Sequence, residues 1–369
     1  MRVFFSGGGT GGHLYPALAI ARALVRLEPR VQPHFIGARR GIEREILPTT
    51  EFPHTLLDLH PLYRSAPWRN WRTVASLTSG WRRVDQLAAA GRPRLVVATG
   101  GYAASAALAY ATVRRVPFVI QEQNSFPGKT VALFARWARE VYLGFPEATA
   151  GLPAPARARA VDTGNPVDPP PDARPDKARM RAVWNLADDV HFVVLAFGGS
   201  QGSAALNALV EGWLERGLPP GVGLIWGTGR DHFDRFATLA SDRVAVRPYL
   251  APIADAYAAA DFAIARAGAM TTAELCAWGL PMFLVPLPTA AADHQTANAR
   301  ALGDAGAALW MPQGEVSAAR LDEQLRALLA APASLARLRD AALARGRPDA
   351  SHRIAQRIIA LLDTSARLA

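Results

Sequence analysis

Short apolar runs that stop at glycine or at polar residues alternate with helical segments along most of the chain. RVFFSG (2–7), QPHFIG (32–37), RLVVATGG (94–101) and PFVIQEQN (117–124) are four such runs in the first part. Between the first two, residues 17–27 repeat their apolar positions at helical spacing. That alternation predicts βα repeats, hence a parallel sheet with helices on both faces. From 144 to 176 the texture changes to Pro and Ala with few large apolar residues, which reads as a linker or hinge. The alternation resumes with HFVVLAFGGSQG (191–202), GLIWGTG (223–229), RVAVRPYL (243–250), DFAIARAGA (261–269) and PMFLVPL (281–287). The pattern therefore predicts two similar α/β halves, each opening on a strand and a glycine-rich turn. In such sheets ligands collect at the carboxyl ends of the strands, and binding sites favour the cleft between domains. A last helix over about 351–368 could cap either half.

The first glycine turn, GGGTGGHLYP, satisfies G-x-G-x-x-G at Gly7, Gly9 and Gly12. A strand-to-helix turn of this kind lets backbone amides and a helix dipole face a phosphate. Pro16 suits a first helical turn, where its missing donor has no partner. A dinucleotide site also needs an acidic residue at the end of the second strand. That strand ends FIGARRG, with two arginines and no carboxylate. NADP could use the arginines, so the turn alone leaves a dehydrogenase open. Four further clusters shift the reading. FGGSQGSAALN is a second glycine turn ahead of a helix, with Ser200 and Gln201 able to bond phosphate oxygens. ARAGAMTTAEL offers amides near Gly268 and Ala269, hydroxyls at Thr271 and Thr272, and a carboxylate at Glu274 suited to both hydroxyls of a ribose. Gln295 and Asn298 stand three apart on one helical face, and amides suit neutral sugar hydroxyls. GYAAS and QEQNSFPG add Tyr102, Glu122 and Asn124 from the first half. Two phosphate-friendly halves, one with ribose- and sugar-type partners, describe a nucleotide-sugar site.

Length suggests about two domains. The single cysteine, Cys276, lies in an apolar stretch and reads as a small buried hydrophobe; a reducing cytoplasm is the simplest setting. No signal peptide is expected, since only Arg2 precedes the first apolar strand. Two uncharged runs, 95–113 and 276–292, are interrupted by Gly-Gly and by three prolines respectively, so neither is read as a transmembrane helix. The net charge of +10 favours anionic partners, and Lys129 and Lys177 are the only lysines beside many arginines. The positive charges are scattered and no nucleic-acid motif occurs, so nucleic acid is not an expected partner.

At these residues the sequence resembles the MurG family of bacterial peptidoglycan glycosyltransferases. GGGTGGHLYPALAIA, GGY, EQN, GNPV, GGSQG, RAGAMTTAE and DHQTANA match the family's motifs in order, from residue 7 to residue 299. The resemblance implies an α/β fold of the GT-B glycosyltransferase type, two Rossmann-like parallel-sheet domains facing a cleft. It implies an acceptor and membrane-side domain over 1–165, a UDP-sugar domain over 166–345, and a C-terminal helix over 346–369 that returns to the first domain. The implied reaction moves N-acetylglucosamine from UDP-GlcNAc to the C4 hydroxyl of the muramyl sugar in lipid I, with inversion, giving lipid II and UDP. A natural-product glycosyltransferase or an epimerase of the same architecture is the alternative. The donor residues carried over are Ser200, Leu250 through its backbone, and Ala269, Met270, Thr271, Thr272, Ala273 and Glu274, with Glu274 on the ribose. Asn124, Gln295 and Asn298 would hold the sugar, and Thr10, Gly11 and Gly12 would lie against diphosphate and sugar. His13, Tyr102, Glu122 and Gln123 would face the acceptor. Two positions depart from the family pattern: Asp168 stands where Arg often follows GNPV, and Gln121 stands where His is frequent.

Inverting transfer needs a base for the acceptor hydroxyl and stabilisation of the departing diphosphate. His13, where the loop meets the helix, is the candidate base because histidine as a residue type titrates near neutral pH, and Glu122 is the alternative. No D-x-D occurs to hold a metal on the diphosphate, so no metal or cofactor is expected and amides must carry that charge. The lipid acceptor implies a peripheral protein at the cytoplasmic face of the cell membrane. At helical spacing Trp71, Val74, Leu77, Trp81 and Val84 share one arc, flanked by Arg69, Arg72, Arg82 and Arg83. Trp71, Trp81, Arg72 and Arg82 therefore suit an anionic lipid surface, while the same arc equally suits packing on the sheet.

Overall fold

A computed structural model describes residues 1–61, 63, 68, 70–199 and 201–367 of the 369, without the side chains of 365–367. The chain divides into two compact units, residues 1–167 together with 349–369, and residues 168–348.

In unit 1 seven strands, among the described residues, form a parallel sheet of order β3-β2-β1-β4-β5-β6-β7. They are β1 (Arg2–Gly7), β2 (Gln32–Ala38), β3 (His54–Leu57), β4 (Leu95–Gly100), β5 (Phe118–Glu122), β6 (Val141–Leu143) and β7 (Ala160–Asp162). The order reverses between β1 and β4, which makes the gap at their carboxyl ends the place for a ligand. Register sharpens this: Ser6 pairs with Ala98 but Gly7 with Gly100, the ladder shifting between them, so the two glycine turns come abreast. Helices cover both faces. On one, Leu14, Ala17, Ile20 and Leu24 of α1 (Gly11–Leu27) are buried with Val3, Phe5 and Phe35 of the sheet. On the other, α3 (Asn70–Ala89) and α4 (Ser105–Arg114) cover Phe4, Val96 and Ile120; the short α2 (Glu43–Ile46) follows β2. The last helix, Ala350–Arg367, joins the α1 face with Ile354, Ala355, Ile358 and Leu362.

In unit 2 the described strands are β8 (Phe192–Phe197), β9 (Val222–Gly227), β10 (Val244–Arg247), β11 (Phe262–Ala265), β12 (Met282–Leu284) and β13 (Leu309–Trp310). Their order is β10-β9-β8-β11-β12-β13, again parallel, with the reversal between β8 and β11. Phe192, Val194, Trp213, Trp226, Phe262 and Phe283 centre its core.

The two parallel-sheet units match the α/β fold that the alternating pattern predicts. Two local readings change. The segment read as a linker holds β7, which pairs with β6 as the edge of the first sheet, so the first unit runs on to Val167. Its three residues AVD are half-buried or exposed, too short a run to stand out in the alternating pattern. Pro16 lies in the second turn of α1, because Gly11 and Gly12 already adopt helical geometry. Among the described residues no helix is long and apolar enough to cross a membrane.

Candidate active site

In unit 1 three strand ends supply the site. After β1 the chain turns through Gly8 and Gly9, the latter at φ +89°, where a side chain would be strained. A Cβ at Gly9 would also lie 2.8 Å from the Tyr102 ring, so the β1 and β4 turns pack tightly. Thr10 is extended and exposed, and the helix begins at Gly11. The Thr10 hydroxyl shares a 2.9 Å hydrogen bond with His13 Nδ1. Thr99 Oγ1 donates to the His13 carbonyl at 2.7 Å. The half-buried imidazole lies over the β4 turn: a Cβ on Gly100 would stand 3.0 Å from His13 Cδ2. Tyr102 is half-buried, and burial raises its phenol above the ordinary range.

Glu122 closes β5 and is buried. Its Oε1 accepts the Asn124 amide at 2.9 Å and the Asn124 side chain at 3.2 Å; its Oε2 accepts the Gly128 amide at 2.8 Å. Burial raises its pKa, and those donors act against the rise. The carboxyl group thus shapes the loop that carries Asn124. Gln123 is buried and donates to the Thr99 carbonyl at 2.8 Å and to Gln121 Oε1. Gln121 donates to Asn165 Oδ1 at 2.9 Å, and Asn165 returns a 2.9 Å bond to the Gln123 carbonyl. Gln121, where the family pattern favours His, is therefore one member of a buried amide network.

In unit 2 the β8 turn is braced by β9. A Cβ at Gly202, φ +76°, would run into the Thr228 carbonyl. Ser203 caps the helix Ala204–Glu215 by accepting the Leu206 amide at 3.4 Å. Ser200 lies outside the described residues. The helix Ala269–Trp278 starts directly after β11, with Gly268 as its extended cap, so its first amides open at the strand end. Met270, Thr271 and Ala273 are half-buried on its first two turns. Thr272 is buried and turns its hydroxyl back onto the Gly268 and Ala269 carbonyls, both at 3.1 Å. Glu274 accepts the Tyr257 hydroxyl on Oε2 at 2.6 Å. Burial raises the Glu274 pKa, with the Tyr257 bond opposing it and Asp168 adding to it. Gln295 Oε1 accepts the Leu287 amide at 3.0 Å, whereas Asn298 is buried and donates to the Ala267 carbonyl at 3.1 Å. Leu250 is buried; a Cβ at Gly227 would lie 3.0 Å from it.

Three site residues escape sequence reasoning. Glu43, at 0% exposure, accepts the Gly9 amide at 2.9 Å and the Ala38 amide at 3.1 Å. Tyr257 holds Glu274, with its ring between Phe197 and Trp278 at 6.2 and 5.8 Å. Arg266, buried beside the β8 turn, donates to Ser203 Oγ at 2.8 Å, to the Val285 carbonyl at 3.0 Å and to Gln313 at 2.7 Å. Arg266 stands in the quoted RAGA motif, which signalled it; Glu43 and Tyr257 belong to no motif.

The surface arc on α3 splits. Trp71 and Val74 are each 65% exposed, Arg72 lies over the Trp71 ring at 5.5 Å, and Arg82 is exposed. Trp81, by contrast, packs against the core beneath Arg114, and Val84 is buried. The buried stripe is Ser76, Gly80, Val84 and Ala88, a fourfold spacing that small residues set by close approach to Leu59 and Ala106. Cys276 is buried, and burial pushes its thiol up to about 12.

Known proteins align with this chain from end to end. Residues 3–143 match the model of the glycosyltransferase family 28 N-terminal domain, and residues 193–354 that of the family 28 C-terminal domain. A UDP-N-acetylglucosamine--N-acetylmuramyl-(pentapeptide) pyrophosphoryl-undecaprenol N-acetylglucosamine transferase of Salinibacter ruber is 40% identical, across 98% of this chain and 97% of its own. A protein of the same name from Moorella thermoacetica is 37% identical across 99% of this chain and 100% of its own. The crystal structure of Acinetobacter baumannii MurG superimposes with TM-score 0.76 and 29% identity, covering 97% of this chain and 99% of that one. The Staphylococcus aureus MnaA–UDP structure shares the fold at TM-score 0.67 with 14% identity, covering 98% and 97%. Identity of this extent, with both family 28 domains matched on two parallel sheets, makes the chain a member of the family 28 glycosyltransferases that includes MurG.

Proposed function

We infer that the protein transfers N-acetylglucosamine from UDP-N-acetylglucosamine to lipid I, giving lipid II and UDP. The carrying observation is full-length identity of 40% to a transferase of that name. The finer assignments are our own. Transfer is to the C4 hydroxyl of the muramyl sugar, with inversion at the anomeric carbon. In unit 2 the amides and positive dipole end of the helix Ala269–Trp278 take the diphosphate, and we assign Ser200 to the same group from its motif. Glu274 accepts ribose hydroxyls, the Leu250 backbone meets the base, and Gln295, Asn298 and Asn124 hold the sugar. In unit 1 Thr10, Gly11 and Gly12 lie against diphosphate and sugar, while Tyr102 and Gln123 border the acceptor.

His13 is the base we favour over Glu122. In the tautomer we assign, Nδ1–H donates across the 2.9 Å contact to Thr10 Oγ1, and Nε2 is the atom that takes the acceptor's proton. The acceptor oxygen then bonds the anomeric carbon as the bond to the diphosphate breaks. The charge on departing UDP falls on amides already aimed at it, which need no reorganisation. Glu122 has both oxygens engaged by loop donors and serves to hold Asn124. Peripheral attachment at the cytoplasmic face, through Trp71, Val74, Arg72 and Arg82 on an anionic surface, brings unit 1 to its lipid substrate. The test is UDP release from UDP-N-acetylglucosamine with and without a lipid I analogue. Release that depends on the analogue is the expected result; equal release without it overturns the acceptor assignment.

A further inference from the structure

The turn that matches the dinucleotide fingerprint already contains an anion from its own chain. The Glu43 side chain enters beneath it from α2, fully buried, and takes the amide hydrogens of Gly9 and Ala38 at 2.9 and 3.1 Å. Three glycines clear its path. A Cβ at Gly8 or Gly41 would overlap the carboxylate, and one at Gly37 would lie 2.9 Å from Glu43 Cβ. No lysine or arginine pairs with it among the described residues. A buried carboxylate without a cation is costly unless backbone donors satisfy it. Here the donors belong to the turn itself, and the Gly8 amide is taken separately by the Gly100 carbonyl at 3.4 Å.

The next residues lead to the histidine. Gly9 is followed by Thr10, whose hydroxyl meets His13 Nδ1 at 2.9 Å. We propose that Glu43 is the resident anion of the first glycine turn and a positioning residue that, through Gly9 and Thr10, fixes the imidazole of His13. Gly8 and Gly9 accordingly offer no amide to a nucleotide diphosphate, and the two glycine turns of this fold do different work. The positioning half of the proposal rests on His13 acting as the base.

Glu43→Ala leaves a small pocket lined by glycines, with two N–H donors pointing in, and formate is the right size and charge to refill it. The experiment measures melting temperature and kcat of Glu43→Ala and of the parent over a formate titration. We expect kcat of the variant to fall about 10²-fold, with KM for UDP-N-acetylglucosamine changing far less, as for a slight misplacement of a reacting group. Formate should raise both its melting temperature and its kcat with saturation, and do neither to the parent. A kcat within about twofold of the parent overturns the proposal, as does a melting temperature indifferent to formate. Thermal rescue without recovery of kcat overturns the positioning half. If Glu43→Ala does not fold, Glu43→Gln decides: it keeps one acceptor and turns an NH2 toward the other donor, so undiminished kcat refutes the idea. His13→Ala run in parallel separates the two readings. Near-normal turnover there removes His13 as base but leaves the thermal effect of formate on Glu43→Ala in place.

Discussion

Tyr257 and Glu274 show how one hydroxyl can set the acceptor geometry of a carboxylate. Burial holds the phenol far above its ordinary range, so it remains a donor and fixes Oε2 at 2.6 Å. Oε1 is then the oxygen we assign to a ribose hydroxyl. Because burial raises the Glu274 pKa, the group protonates on acidification earlier than an ordinary carboxyl would, and a protonated carboxyl is a poorer acceptor. KM for UDP-N-acetylglucosamine should therefore rise as pH falls, beginning above the usual carboxylate range. Tyr257→Phe removes an influence that lowers the Glu274 pKa, so this rise should begin at higher pH. At neutral pH its KM should increase about tenfold, the size of a lost hydrogen bond to a charged group. Discrimination against a 2′-deoxyribose donor should shrink with it; unchanged discrimination would show that Tyr257 only packs. Neither partner's role was legible as a pair in the sequence. Glu274 stands in a motif, but Tyr257 is one apolar-looking position among the alanines of the helix Ile253–Ala259, 17 residues away. Glu43 hid in the same way, two residues beyond FIGARRG and 34 from the amide it holds. The fingerprint rule looked for an acid just there to bind ribose, and the acid present faces inward instead.

On the scale of elements, helix α3 turns a sequence arc by part of a turn. Counting apolar residues alone put Trp71, Val74, Leu77, Trp81 and Val84 on one face. The packed face follows Ser76, Gly80, Val84 and Ala88, because a Cβ at Gly80 would already lie 2.8 Å from Leu59. Closeness of approach, a tertiary property, decided the rotation. The two tryptophans should then behave differently. Trp71→Glu should weaken binding to vesicles of anionic lipid several-fold with no change in melting temperature, measured by co-sedimentation and calorimetry. Trp81→Ala should destabilise by about 2 kcal/mol or more, as a large core truncation does. Equal vesicle binding by Trp71→Glu and the parent would remove this surface as the lipid contact. Strands divide along a similar line. Eight of the nine runs read from the pattern lie inside the two sheets, with β10 alone at an edge, and most are apolar on both faces, as in buried parallel sheets. The four not read, HTLL, VYL, AVD and LW, are short or at sheet edges, and lateral hydrogen bonding rather than composition creates them.

For the whole molecule, unit 1 is assembled from both ends of the chain. Ile354, Ile358 and Leu362 are buried on the α1 face, and Arg357 grips Glu140 through two bonds of 2.7 and 2.6 Å at the margin. Ile358→Ala should cost about 2–4 kcal/mol, within the range for a truncated core isoleucine. If the units melt separately, the loss should fall on the transition of unit 1 alone. Hydrogen exchange would check this, with protection falling in α1 and β1 but holding in β8 and β11.

That two-ended assembly has a consequence in time as well as in space. On a ribosome the first 167 residues emerge long before residue 349, and the intervening stretch takes roughly 10–40 s at about 5–20 residues per second. Throughout that interval the α1 face waits for its final helix, with Leu14, Ile20 and Leu24 lacking one wall of their core. The second unit is complete in sequence before the first, so the order of translation is not the order of completion. Stalled chains ending near residue 348 should display this uncovered face to chaperones, and full-length chains should not.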